Sequence, residues 1–121
     1  MKWFVARYIY QIITGEGNHA PQFDEQLRLI VSTDSNEALC KAESQADSFH
    51  NPFRNCRGDL VTWNFICVAD LYEIQSPVDG AELASVLHEP DDVNVFLDNV
   101  NQHKSFLEQL LPFSTPSIKL F

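Results

Sequence analysis

Leu60-Val61-Thr62-Trp63-Asn64-Phe65-Ile66-Cys67-Val68-Ala69-Asp70-Leu71-Tyr72-Glu73-Ile74 is the longest strand pattern in the chain. Its aromatic and β-branched residues fit a pleated surface. Unbroken alternation puts Val61, Trp63, Phe65, Cys67, Ala69 and Leu71 on one face, and Thr62, Asn64, Ile66, Val68, Asp70 and Tyr72 on the other. Acids are depleted from strand interiors, so Asp70 marks a bulge or an early strand end.

Upstream, Trp3 to Ile13 reads as another long strand, with Phe4, Ala6, Tyr8, Tyr10 and Ile12 on one face. The loop Thr14 to Pro21 contains two glycines and a proline, and Phe23 to Thr33 returns as a second strand in an antiparallel hairpin. The expected parity sets Tyr8 and Tyr10 beside Leu27 and Leu29, and Trp3, Val5, Arg7 and Ile9 beside Arg28 and Ile30. Asp34 and Glu37 form a capping-box signal ahead of Ala38, Leu39, Ala42, Ala46 and Phe49 at helical spacing. That helix ends before Pro52, because proline disfavours an α conformation in the residue preceding it.

Downstream, Pro77-Val78-Asp79-Gly80 is a turn signal, and Ala81 to Leu87 is expected to return as a fourth strand. Pro90 suits the first position of a second helix, with Asp91 and Asp92 complementing its dipole. Ser105 and Glu108 suggest a break or bend within that helix, and Leu111-Pro112 ends it. The fold class expected is α+β: a single domain over residues 1–111, an antiparallel four-stranded sheet in ββαββα order with helices packed on it. Residues 112–121 form a proline-containing tail.

A chain of 121 residues, 45% hydrophobic and 12% aromatic, has enough apolar surface for a core without metal or disulfide. The net charge of −9 is uneven, since residues 58–103 contain nine acids and no lysine or arginine. Such a surface repels phosphate backbones, which disfavours nucleic acid as a partner and suits a protein with a basic surface. No apolar run approaches the length of a membrane span, and Arg7 interrupts the first one, unlike a signal peptide. The three cysteines, Cys40, Cys56 and Cys67, form no C-x-x-C pair, and their odd number fits free thiols in the cytoplasm. Cys67 is expected in the core and Cys56 in an exposed loop.

The four histidines show no metal-ligand spacing, and no phosphate loop, dinucleotide fingerprint or nucleophile elbow is present. His50 and Cys56 share a loop, the nearest approach to a base beside a nucleophile. No catalytic, metal-binding or cofactor-binding residue is assigned.

Trp3-Phe4-Val5-Ala6-Arg7, Glu37 to Ala42, Asn55 and Gly58 leading to Val61-Thr62-Trp63-Asn64-Phe65, Val68 to Glu73, and Asp79 to Leu83 together form a distinctive string. In these motifs the chain resembles a family of small bacterial domains of unknown function, over roughly residues 1–90. The resemblance implies a bacterial cytoplasmic origin and supports the fold boundaries. It carries over no reaction and no site residue.

The function expected is that of a small acidic non-enzymatic interaction or regulatory domain. The alternative is a small-molecule binder or enzyme with a pocket between sheet and helix. The second face of the sheet is too apolar for water, so Trp3, Arg7, Ile9, Arg28, Ile30, Asn64 and Ile66 form the candidate interaction face, and a homodimer built on it is expected, the alternative being that the second helix covers it within the chain.

Overall fold

The computed structural model describes residues 1–112, so the expected tail lies outside the described residues from Phe113 onward. The chain divides into two compact units, Met1–Ser85 and Val86–Phe121. The first holds β1 (Lys2–Thr14), β2 (Gln22–Ser32), α1 (Ser35–Gln45) with a 3-10 turn (Ala46–Phe49), β3 (Phe53–Arg54) and β4 (Leu60–Ile74). The strands form one antiparallel sheet in the order β2-β1-β4-β3.

The β1–β2 register departs from the expected parity by one residue. Tyr8 faces Gln26 and Tyr10 faces Asp24, while Val5 faces Leu29 and Arg7 faces Leu27. A one-residue slip moves every side chain of a strand to the other face. Arg28 and Ile30 therefore share the α1 side of the sheet with Phe4, Tyr8 and Tyr10, and Leu27 and Leu29 lie on the opposite side. The hairpin loop imposes this register: Gly15 and Gly17 adopt φ of 61° and 84°, and His19 Nε2 accepts from the Thr14 backbone N–H at 3.0 Å.

α1 starts as the sequence indicates, with the Asp34 side chain accepting from the Glu37 N–H at 2.9 Å. Ala38, Ala42 and Ala46 are buried, and their small side chains let the helix approach Phe4, Tyr8 and Tyr10 closely. The helix tightens at its end: the Ala46 N–H bonds the Glu43 carbonyl, three residues back, instead of that of Ala42. The Ala42 carbonyl accepts from the Tyr8 hydroxyl at 2.9 Å, and the Ala46 carbonyl accepts from the Tyr10 hydroxyl at 2.7 Å. Two residues of strand advance about 6.7 Å and four of helix about 6.0 Å, so tyrosines two apart match carbonyls four apart.

β4 spans the residues expected of it, but its pairing with β1 shifts register twice. Arg7 faces Asp70 and Tyr8 faces Val68, then Ile9 faces Cys67 and Tyr10 faces Phe65. Ala69 and Ile66 are thus extra residues, and strict alternation fails between Phe65 and Asp70. Val68, expected on the second face, packs against the core with Phe65, Trp63 and Leu71. Cys67, expected in the core, is exposed on the other side.

The expected fourth strand is also corrected. Pro77 to Gly80 does turn, with the Ala81 N–H donating to the Val78 carbonyl at 2.9 Å, but Ala81 to Leu87 forms no strand. The segment Ala-Glu-Leu-Ala-Ser lacks the β-branched and aromatic residues that sheets favour. The fourth strand is instead β3, whose tight hairpin with β4 is held by Asn55. Its Oδ1 accepts from the backbone N–H groups of Arg57 at 2.9 Å and Asp59 at 3.0 Å, while Gly58 takes a φ of 84°.

In the second unit, α2 runs from Val93 to Leu110 without the break expected at Ser105. Its N-cap is Asp92, which accepts from the Val95 N–H at 3.1 Å, so Pro90 precedes the helix and is not its first residue. Lys104 and Glu108, one turn apart, lie 3.7 Å from each other. Among the described residues no helix is long and apolar enough to cross a membrane.

Candidate functional site

The side of the sheet turned away from α1 is apolar at its centre and edge. β1 contributes Trp3, Arg7, Ile9 and the buried Val5, β2 contributes Phe23, Leu27, Leu29 and Val31, and β4 contributes Asn64, Cys67 and Tyr72. Leu27 is 55% exposed and Leu29 47%, although both lie within a regular strand. Arg7 donates to Glu25 Oε1 at 2.6 Å across the same face, and this hydrogen bond is the main reason its pKa is raised, keeping the guanidinium charged. Ile66 sits at a bulge and is exposed. At the Tyr72 end, the tyrosine hydroxyl donates to the Leu83 carbonyl at 2.6 Å and ties the segment after the turn to the sheet.

Of the residues expected to form this face, Trp3, Arg7, Ile9 and Asn64 are brought together on it. Arg28 and Ile30 are not, as a consequence of the register. Ile30 is 2% exposed in the core, and the Arg28 guanidinium lies 3.7 Å from the Phe49 ring centroid, a cation–π contact. Sequence reasoning missed Phe23, Leu27 and Leu29. Their signal was present in the period-two alternation, which was assigned to the wrong side.

On the helix side, the polar residues of β2 converge with the loop after α1. Asp24 Oδ2 accepts from Trp63 Nε1 at 3.1 Å and from Gln26 Nε2 at 2.7 Å, and Gln26 Oε1 accepts from Arg28 at 3.0 Å. His50 stacks on Trp63 at 4.9 Å, meets Tyr10 edge-on, and places its Nε2 3.1 Å from Gln26 Oε1. Each polar group already has a partner, so the cluster fastens the loop to the sheet. His50 is engaged with Gln26 and Cys56 is exposed in the β3–β4 hairpin, and no hydrogen bond joins the two.

Between sheet and helix the space is filled by Phe4, Tyr8, Tyr10 and Phe49. Burial pushes the Tyr8 and Tyr10 hydroxyls above their usual pKa, so both remain donors at neutral pH. A depression of about 470 Å³ opens elsewhere, where α1 begins, lined by Met1, Val31, Glu37, Cys40 and Lys41 among others. Several of its polar groups are engaged: Thr33 donates to Glu37, and Lys41 Nζ donates to the Val31 carbonyl at 2.9 Å.

A family model described as "Domain of unknown function (DUF4288)" matches residues 3–85, which is nearly the whole of the sheet unit. No curated protein and no solved structure matches the chain. Within the matched span, Asn55 and Gly58 build a hairpin and Asp79 and Gly80 a turn, so these positions have a structural reason to carry the residues they do.

Proposed function

We propose that this chain, which belongs to the DUF4288 family of domains of unknown function, is a non-enzymatic interaction domain whose open sheet face docks a protein. The observation that carries the reading is the exposure of Leu27 and Leu29 inside a regular strand, beside Trp3 and Ile9. Aliphatic and aromatic side chains with an arginine among them are what the centres of protein interfaces favour. The reading includes self-association and a further partner with a basic surface, which the acidic excess of the chain suits. It also includes a bacterial cytoplasm, supported by three free, exposed thiols that a reducing compartment keeps unpaired.

A photo-crosslinking amino acid at Leu29, introduced in the native host, tests the docking face. Protein adducts are expected from Leu29 and not from Ser44 on the exposed side of α1. Equal yields from both positions, or none from Leu29, would remove the face from consideration.

A further inference from the structure

We propose that two copies of this chain join edge to edge along β2, antiparallel and with Gln26 opposite Gln26, so that their open faces form one continuous surface. The proposal rests on the docking reading and names the first partner.

β2 is the terminal strand of the sheet and pairs with β1 in an unbroken register from Gln22 to Ser32. It contains no proline and no bulge. A long regular edge is a template for pairing, and proteins that do not use one blunt it. The other side of the sheet is blunted: beyond Val61 the outer edge of β4 is broken by its two bulges and bears Asp70 and Glu73.

The free backbone groups of β2 can be assigned. Thr14 of β1 uses its N–H and carbonyl within the hairpin loop, so even-numbered residues of β1 point their backbone groups toward β2. Their partners in β2 are also even-numbered, which leaves the groups of Phe23, Glu25, Leu27, Leu29 and Val31 pointing outward. The Val31 carbonyl accepts from Lys41, as an outward group can. The rest of this row lacks a backbone partner among the described residues.

Charge selects the register. A two-fold axis perpendicular to the sheet keeps both helices on one side, so residues opposite each other must have the same parity. Centred on Asp24, Glu25 or Arg28, the pairing sets like charges against each other. Centred on Leu27 it sets Asp24 against Ile30, and centred on Leu29 it sets Arg28 against Ile30, so neither brings opposite charges together. Centred on Gln26, it sets Asp24 against Arg28 on the helix side, adding a contact between copies to groups already bonded within each copy, and on the open side it sets Phe23 against Leu29 and Glu25, held by Arg7, against Leu27. Opposite charges and apolar pairs facing one another stabilise an antiparallel pair, and like charges do the reverse.

Three measurements decide the proposal. Light scattering at micromolar concentration should give twice the 13.8 kDa chain mass. In the natural chain, amide exchange at Glu25, Leu27 and Leu29 should slow with rising concentration, which needs no variant to fold. With Cys40, Cys56 and Cys67 changed to serine, Gln26→Cys should oxidise to a linked dimer, because Cβ atoms facing each other in this way approach within disulfide reach. Ile9→Cys should remain unlinked. A monomer mass with concentration-independent exchange overturns the proposal. A dimer that links through Ile9→Cys and leaves exchange along β2 unchanged also overturns it, while leaving the open face as the docking surface.

Discussion

Replacing Tyr8 with phenylalanine tests the account of how α1 is fixed to the sheet. The tyrosine is fully buried, and its hydroxyl is the donor to an Ala42 carbonyl that the tightened helix end has released. The ring stays, so packing against Tyr10, Phe49 and Phe65 is largely kept. What is lost is the partner of a buried carbonyl, at a cost of about 1–3 kcal/mol. For a domain of this size, 2 kcal/mol lowers the melting temperature by roughly 8–16 °C. Thermal and urea unfolding followed by tryptophan fluorescence should show the lower midpoint with an unchanged urea slope, the sign of a stability change in an otherwise similar structure. Tyr72→Phe is the control, since its hydroxyl bonds the carbonyl of the exposed Leu83, which water can replace, and its effect should stay within about 0.5 kcal/mol. Equal effects from the two variants, or none from Tyr8→Phe, would mean that Ala42 has another donor and that the strand tyrosines do not secure the helix.

Alkali should act on the same contact. The folded pKa values of Tyr8 and Tyr10 are raised by burial above the ordinary value of 10.0, so their neutral forms stabilise the fold below about pH 10 and that contribution is lost as pH rises through the folded values. Urea midpoints should fall as pH rises above about 10, and less steeply in Tyr8→Phe. Asp34→Ala should cost about 0.5–2 kcal/mol in chemical denaturation through loss of the α1 cap. Leu27→Thr with Leu29→Thr should change the stability of the monomer by less than about 1 kcal/mol, whereas core leucines would cost several times as much. Fluorescence anisotropy with DNA and RNA at physiological salt should show no submicromolar binding, given the acidic excess.

The elements with strong local signals were legible in the sequence. β4 occupies Leu60–Ile74 as its pattern indicates, and Asp34 caps α1 through the bond its spacing implies. Failures came where the outcome depends on partners distant in sequence. The alternation of Leu27, Leu29 and Val31 with Gln26, Arg28 and Ser32 is clear, but periodicity gives two faces without saying which is inside. The leucines were the natural choice for the core. The structure places Gln26 and Arg28 inward because His50, Phe49 and the Asp24–Trp63 pair accommodate their polar groups, contacts that span more than twenty residues and leave no local trace. The candidate face was therefore legible on β1, through Trp3, Arg7 and Ile9, and inverted on β2, where Arg28 and Ile30 both lie on the α1 side. Asp70 did signal an irregularity in β4, but not that the strand holds two extra residues, which carried Cys67 and Val68 to the sides opposite those expected.

The two bulges of β4 also bear on which changes of chain length the domain can absorb. Deleting one residue from a regular strand turns everything beyond it inside out. Ile66 and Ala69 lie between paired positions, so removing either leaves Tyr10 opposite Phe65, Ile9 opposite Cys67, Tyr8 opposite Val68 and Arg7 opposite Asp70. A chain shorter by one or both of these residues would have the same core and the same side chains on the open face. It would also have a straighter outer edge on β4, exposed to edge-to-edge aggregation that the longer chain resists. Length variation at these two sites is thus neutral for the interior and selectable only through solubility, whereas a deletion at Leu29, in the unbulged strand, would invert the candidate docking face.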